Sequence, residues 1–184
     1  MLSLQKGKIL IAEPSIIGDV SFNRSIILLA DHSTEGSIGF ILNKPLDYNL
    51  GDLIPEINST FKVYNGGPVQ QDNLYFIHKV PELIPGSIEI SQGLFWSGDF
   101  KHISDLIAKQ KIDENDIQFF LGYSGWDANQ LNSELDSNTW ILSENTHQSD
   151  IIRAVDTSFW KDKMLALGGE YSIWSNAPEH PSYN

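Results

Sequence analysis

Two apolar runs joined by a short polar turn constrain the fold of this chain more than any other segment. The first run is Ile26 to Ala30, the second is Ile38 to Leu42, and residues 33–36 form the turn between them. Runs of this length that are rich in β-branched residues and bounded by turn residues are typical of strands. The sequence therefore predicts a buried antiparallel hairpin whose polar residues lie at its two ends.

The position of the turn predicts which residues face each other. With residues 33–36 as the turn, paired residue numbers add up to about 69, so that Ile26 lies near Asn43. Arg24, Ser25 and Asn43 then share one end of the hairpin, and His32 lies at the other end. At about 3.3 Å per residue, Ser25 and His32 are roughly 20 Å apart. A nucleophile and base pair of these two residues is therefore excluded, because such a pair must be within hydrogen-bond reach.

The end of the hairpin that carries Arg24 and Asn43 is a candidate ligand-binding site. An arginine there could hold a carboxylate or phosphate through two hydrogen bonds, and the Asn43 amide could bind a backbone group. The structural alternative is that Arg24 pairs with an acid such as Asp19 and that Asn43 closes a strand before Lys44 and Pro45. Both interpretations remain open from the residues alone.

Two adjacent glycines in Asn65-Gly66-Gly67-Pro68 are further candidate ligand-binding residues. Gly66 permits a positive φ, Gly67 permits close approach of the backbone to a neighbour, and exposed amides in such a loop can bind an anion. Neither a Walker sequence nor a dinucleotide-binding glycine pattern is present. A purely structural turn is the alternative.

Ser124 stands in Gly122-Tyr123-Ser124-Gly125-Trp126, which resembles the strand-to-helix turn that presents a catalytic serine. Trp126 replaces the second glycine of that pattern, and a capping box of Asp127 and Gln130 explains the same turn without catalysis. His78, at the end of a predicted strand near the glycine turn, is the leading candidate base for Ser124, and His102 is the other. Its structural alternative is a histidine bonded to the backbone.

The charge and composition exclude several classes of function. The net charge is −12, and the only arginines are Arg24 and Arg153, so we expect no direct binding of DNA or RNA. Without cysteine there can be no disulfide, thiolate metal site or cysteine nucleophile. We predict no metal and no cofactor, because the turn around His32 lacks the ligand spacing of a metal site. No apolar run is long enough for a membrane span and no leader sequence is recognisable, so the predicted location is cytoplasmic.

The remaining pattern predicts a single α+β domain over residues 1–184. The predicted strands cover residues 8–12, 26–31, 38–42, 62–64, 74–78, 87–90, 117–123 and 139–142. Helical spacing follows at residues 103–107, 131–135, 151–155 and 159–167, and Gly168-Gly169 ends the last of these helices. The segment 175–181 is predicted to be irregular. Strand–helix alternation is missing before residue 100, which favours a mostly antiparallel sheet.

Three separated segments resemble the bacterial YqgE/AlgH family. They are the hairpin with its exit Leu42-Asn43-Lys44-Pro45-Leu46, the Asn65-Gly66-Gly67-Pro68-Val69 turn, and residues 122–126 followed by Gln130-Leu131. The resemblance implies a bent, bifurcated sheet folded into a pseudo-barrel with peripheral helices. It also implies a role in transcriptional regulation, although no biochemical activity is settled for the family.

Two hypotheses of function follow from the residues and the resemblance. The first is a cytosolic regulatory module without catalysis, which binds an unknown protein or small molecule. The second is a small hydrolase or transferase built around Arg24, Asn43, His78 and Ser124. A pocket shared by these four residues would favour the enzyme, and their dispersal would favour the binding module.

Overall fold

The structure is a computed structural model that describes residues 2–16 and 19–178. The strands in this part of the chain are β1 (Ile9–Ala12), β2 (Ile26–Ser33), β3 (Gly36–Ile41), β4 (Pro45–Asn49), β5 (Lys62–Asn65), β6 (Val69–His78), β7 (Ile88–Ser91), β8 (Leu94–Trp96), β9 (Ile117–Asp127) and β10 (Trp140–Ser143). The helices are α1 (Leu50–Leu53), α2 (Phe100–Ala108), α3 (Gln130–Asp136), α4 (Ile151–Ala154), α5 (Phe159–Leu167) and α6 (Glu170–Ser175). A short 3₁₀ turn, Gln148–Asp150, precedes α4. The predicted α+β class is confirmed.

All the strands belong to one sheet that divides at β9. The order along the main path is β10-β1-β2-β3-β9-β6-β8-β7. The first half of β9 also pairs in parallel with β5, at Phe119–Leu121, and β5 carries β4 on its other side. The last residues of β9, from Ser124 to Asp127, pair with β3 instead. Every other pair is antiparallel. The sheet is therefore mostly antiparallel, and it is bifurcated because β9 pairs with β5 in its first half and with β3 at its end, as expected.

The sheet curves but does not close. Its two end strands, β10 and β7, do not pair with each other among the described residues. Strand β2, the third strand of this order, nevertheless contacts β7, which is the last. The Lys6 ammonium group donates a hydrogen bond to the Glu89 carbonyl oxygen across the same junction, at 2.8 Å. This curvature brings the two ends of the sheet close together.

Three buried clusters hold the helices against the sheet. Phe40 and Phe120 stack with their ring centres 4.9 Å apart in the first cluster, which α4 and α5 cover. The second cluster lies under α2, and the third lies under α3. None of the helices described here has the length and apolar character of a membrane-spanning segment.

The hairpin is confirmed, with one local difference in its pairing. Near the turn, Ser33 faces Gly36, as predicted. A bulge between Leu29 and Asp31 adds a residue to β2, and the pairing beyond it shifts by one position. The Ile26 carbonyl oxygen therefore accepts a hydrogen bond from the Leu42 amide, at 2.8 Å, so the register differs by one from the predicted sum. Ile26 still lies near Asn43, as predicted, because its amide donates to the Asn43 side chain.

Several boundaries differ from prediction. Strand β9 continues through Ser124 to Asp127, so the predicted turn at residues 122–126 is absent. The N-cap of α3 is Asn129, with φ 63°, and only half of the predicted capping box forms: the Asp127 amide donates to the Gln130 side chain at 2.9 Å. Strands β4 and β8 and helices α1 and α6 were not predicted, because each has at most six residues and a weak pattern. Ser175 ends α6, and residues 179–181 of the predicted irregular segment lie outside the described residues.

Candidate functional site

Arg24 lies at the predicted end of the hairpin but points toward the C-terminal segment. Its guanidinium donates a hydrogen bond to the Ala177 carbonyl oxygen at 2.8 Å. The same group lies over the Trp160 ring, 5.0 Å from the ring centre. Within the described part of the chain it forms no ion pair, so the predicted pairing with Asp19 was wrong. Asp19 instead accepts hydrogen bonds from the amides of Ser21 and Phe22.

Asn43 is buried and bonds the backbone on both sides. Its side-chain oxygen accepts from the Ile26 amide and its nitrogen donates to the Arg24 carbonyl oxygen, each at 2.9 Å. These bonds replace the ladder bonds that the hairpin loses at its end. The geometry agrees with the structural alternative for Asn43, and ligand binding by Arg24 and Asn43 stays a prediction.

The backbone at Gly66 and Gly67 lies so close to the backbone of β9 that neither position has room for a side chain. The positive φ lies at Gly67, at +150°, and not at Gly66, where it was predicted. The Gly66 amide donates to the Leu121 carbonyl oxygen at 2.9 Å, and the Gly67 amide donates to the Asn65 side chain at 3.1 Å. Both amides are therefore already bonded inside the protein, and an anion at this turn would have to displace those bonds.

The structure places Ser124 far from His78. Ser124 pairs with Gly39, and His78 pairs with Ile117 at the other end of β9. Seven positions of strand separate Ile117 from Ser124, which corresponds to about 23 Å. The four residues of the enzyme hypothesis therefore do not share a pocket.

Both side chains are also fully buried and bonded to the protein. The Ser124 hydroxyl donates to the Gly66 carbonyl oxygen at 3.1 Å. One His78 ring nitrogen lies 3.3 Å from the Ser97 carbonyl oxygen, and the other accepts from the Val80 amide at 3.3 Å. Burial lowers the pKa of His78 below its ordinary value, which favours a neutral ring with one donor and one acceptor.

Ser124→Ala should leave the protein folded, with a loss of stability of about 1 kcal/mol, because the hydroxyl makes a single hydrogen bond. The Gly66 carbonyl oxygen keeps a second donor, the Ile41 amide at 3.0 Å. Thermal unfolding measures this loss, and labelling with fluorophosphonate probes measures reactivity. Stoichiometric labelling of the wild type that disappears in the variant would show that Ser124 is a nucleophile after all.

A cleft of about 360 Å³ lies between the first half of β9 and the segment that joins α4 to α5. Three buried apolar residues, Ile117, Ile152 and Val155, line it, and we call them its apolar base. The half-buried Phe61 also lines it. Its polar walls are Lys62, Tyr64, Glu114, Asn115, Gln118, Arg153, Asp156 and Thr157. We refer to it as the polar cleft. Pro45, just beyond the Asn43 end of the hairpin, also lines it, but Arg24 does not.

The two carboxylates of the polar cleft are already engaged with the backbone. Glu114 accepts a hydrogen bond from the Lys62 amide at 3.0 Å. Asp156 accepts from both the amide and the hydroxyl of Ser158, and these bonds lower the pKa of Asp156. Neither carboxylate is paired with a cation of the cleft.

The cations of the polar cleft are available to a ligand. Arg153 and Lys62 are exposed, and neither forms an ion pair with any residue that the structure describes. Burial raises the pKa of Tyr64 above its ordinary value, and the carboxylates Glu114 and Asp156 raise it further. The Tyr64 hydroxyl therefore stays protonated and can donate a hydrogen bond. The cleft thus offers two cations and a hydroxyl donor above an apolar base.

Gln118, which also lines the polar cleft, has a buried polar atom without a partner in the described part of the chain. It is 5% exposed, and its nitrogen donates to the Leu42 carbonyl oxygen at 3.1 Å. Its side-chain oxygen has no partner among the described residues. A buried acceptor without a partner lowers stability, so this oxygen is a cost that the fold carries.

The sequence did not reveal the polar cleft, because its walls come from three distant segments. Only Arg153 carried a signal, as one of two arginines in the chain. Among the residues described, no three histidine, aspartate or glutamate side chains are grouped so as to hold a metal ion.

Comparison with known proteins shows similarity over nearly the whole chain. The profile of the AlgH-like family matches residues 9–172. A UPF0301 protein from Bacteroides fragilis is 43% identical over 97% of this chain and 91% of its own length. A UPF0301 protein from Cytophaga hutchinsonii is 38% identical over 98% of this chain and 100% of its own length.

Two solved structures share the fold. The solution structure of the AlgH protein from Pseudomonas aeruginosa has a TM-score of 0.72 and 25% identity, and the match covers 98% of this chain and 100% of that one. The crystal structure of protein DIP2367 from Corynebacterium diphtheriae has the same TM-score of 0.72 with 21% identity, over 96% of this chain and 94% of that one.

Proposed function

The chain belongs to the AlgH-like family, and we propose that it is a binding module whose polar cleft holds a small organic anion. The observation that carries this proposal is the pair of unpaired cations, Arg153 and Lys62, above the apolar base of the cleft. Clefts of this kind, with a few convergent polar groups on an apolar surface, are the usual form of small-molecule sites.

The arrangement of charges indicates the class of ligand. Arg153 can bind a carboxylate or phosphate through two parallel hydrogen bonds, and Lys62 can add a point charge. The Tyr64 hydroxyl can donate a further hydrogen bond to the same group. An apolar part of the ligand would lie on Ile117, Ile152 and Val155. The volume of about 360 Å³ suits a metabolite rather than a polymer.

The regulatory part of the proposal needs no contact with nucleic acid. The net charge of −12 repels phosphate backbones, so we infer that any effect on transcription passes through a protein partner or through the ligand. The absence of cysteine agrees with the cytoplasm as the place of action. The dispersal of Arg24, Asn43, His78 and Ser124 favours this module over the hydrolase or transferase alternative.

A thermal-shift panel of small dicarboxylates and sugar phosphates tests the ligand class. We expect at least one compound to raise the melting temperature, and we expect Arg153→Glu to weaken its binding by roughly 10-fold or more, since a charge-assisted pair becomes a repulsion. Lys161→Glu is the matched control, because Lys161 is exposed on α5 and does not line the cleft. Equal loss of binding in both variants would mean that only the overall charge matters. Binding that survives Arg153→Glu would place the ligand elsewhere.

A further inference from the structure

An apolar groove of about 430 Å³, separate from the polar cleft, lies at an interruption in the edge of the sheet. It is lined by Ile54, Leu74, Tyr75, Phe76, Trp96, Ser97, Gly98 and Phe100, none of which lines the polar cleft. We call it the β6 groove. Leu74 and Phe100 pack on the second core cluster, whereas Tyr75 and Trp96 pack on the first. Since the two clusters cover opposite faces of the sheet, the groove opens between these faces, where a further strand would lie.

The interruption arises because β8 leaves β6 early. Strand β6 has ten residues, but β8 pairs with it only at Ile77 and His78. Beyond Trp96 the chain turns away, with φ 62° at Ser97 and φ 134° at Gly98. The Gly98 position permits no side chain, since a Cβ there would lie 2.5 Å from the Ile84 side chain. The early end of β8 is therefore built into the fold.

The edge of β6 that faces away from β9 carries N–H and C=O groups spaced as they are in a strand that pairs with a neighbour. The Lys79 amide donates to the Asp116 carbonyl oxygen at 3.0 Å, so in the same register Tyr75 and Ile77 bond β9. In an antiparallel ladder the even-numbered residues then direct their N–H and C=O groups to the other edge. At Leu74 that edge has no strand opposite it within the residues described. An extended segment is the form of partner that can satisfy both groups at once.

The surroundings of the groove indicate the charge of that partner. Ile54 is flanked by the exposed acids Asp52 and Glu56, Leu74 follows the exposed Asp72, and Gly98 precedes the exposed Asp99. Against these four carboxylates, the same stretches of chain carry one lysine, Lys101, two residues after Asp99. A second copy of the chain would bring the same acids and its own charge of −12 to the contact, which disfavours self-pairing.

We propose that the β6 groove is a docking site for an extended, basic segment of a partner protein, which adds a strand to β6 and places apolar side chains in the groove. Alternate side chains of such a segment point to opposite faces of the sheet, and both faces offer apolar surface here. Lysine or arginine residues beside the apolar ones would face the acids around the groove. This proposal does not depend on a ligand in the polar cleft.

Selection from a random peptide library displayed on phage tests the proposal. We expect enriched peptides to alternate apolar residues and to carry lysine or arginine on either side. A synthetic copy of an enriched peptide should slow hydrogen exchange at the Leu74 amide, while the Tyr75 amide, which faces β9, should be protected with or without peptide. Because binding includes charge complementarity, affinity should fall as salt is raised.

Two variants of the groove and one control make the test specific. Ile54→Glu should weaken peptide binding by about 10-fold or more, because it places a charge in the apolar groove. Ile173→Glu makes the same change at a residue that is 73% exposed on α6, and should leave binding unchanged. Leu74→Pro is a second variant, which removes the outward N–H group without touching a bond to β9. Melting temperatures establish that each variant is folded.

Several results would overturn the proposal. They are a failure to enrich any peptide, peptides with apolar residues at helical spacing, protection of amides away from Leu74, and binding that survives both groove variants. A concentration-dependent dimer that protects the Leu74 amide without peptide would show that the occupant is a second copy of the chain. The hydrogen-exchange comparison uses the wild-type protein, so the proposal remains testable even if both variants unfold.

Discussion

Replacing Gly67 with alanine should destabilise the protein by about 4 kcal/mol or prevent folding, from backbone strain and overpacking together. Gly67 has φ +150°, where a Cβ is strained. That Cβ would lie 2.3 Å from the carbonyl carbon and oxygen of Tyr123 and 2.4 Å from the Ser124 nitrogen. These atoms belong to the middle of β9, which pairs with neighbours on both sides and cannot move away.

Gly168→Ala is the matched control for this prediction. Gly168 also has a positive φ, +69°, but a Cβ there would meet nothing within 4 Å. The loss of stability in Gly168→Ala should be limited to the penalty for a positive φ, about 1 kcal/mol. Urea unfolding of both variants gives the comparison. Equal losses at the two glycines would show that the contact with β9 is unimportant, and would reopen the possibility that Gly67 is needed for a ligand.

Asn43→Ala should cost about 3 kcal/mol, because it leaves two backbone groups at a strand end without partners. The Ile26 amide is fully buried, so it has no access to water once the Asn43 oxygen is gone. The Arg24 carbonyl oxygen loses its donor in the same change. The measurement is the free energy of unfolding in urea, together with binding of any anion found for the polar cleft.

Asn73→Ala provides the comparison for Asn43. Asn73 is exposed, and its side chain donates only to the Gln70 side chain, at 3.0 Å. Its replacement should change stability by less than about 0.5 kcal/mol, as is usual at the surface. If Asn43→Ala kept its stability but lost ligand binding, the hairpin end would be a binding site, as one interpretation of the sequence suggested.

The elements of this fold could be predicted where local pattern and burial agree. The runs Ile9 to Ala12 and Ile26 to Ala30 consist of fully buried apolar residues. In such segments the need to bury side chains and the backbone preference of β-branched residues favour the same conformation. The end of α5 at Gly168 was predictable for the same local reason, since glycine accepts the positive φ that ends a helix.

Elements that depend on distant partners could not be predicted in this way. Strand β4 has no buried residue and begins with a proline, and it exists because β5 lies beside it. Ser124 looked like a residue of a turn, but Gly39 on one side and the glycine turn on the other keep it in a strand. Tertiary pairing outweighed the local signal of two glycines.

The sequence by itself determined the α+β class, the central hairpin and most of the buried strands, because these follow from short-range patterns of apolar residues. Only the tertiary structure decided which distant side chains lie together. The bulge after Leu29 shifted the hairpin by one position, and a bulge depends on packing with both neighbouring strands. The polar cleft joins Lys62, Gln118 and Arg153, which lie on three separate segments. Their meeting depends on the curvature of the whole sheet and on the helices packed against it, which no local pattern specifies.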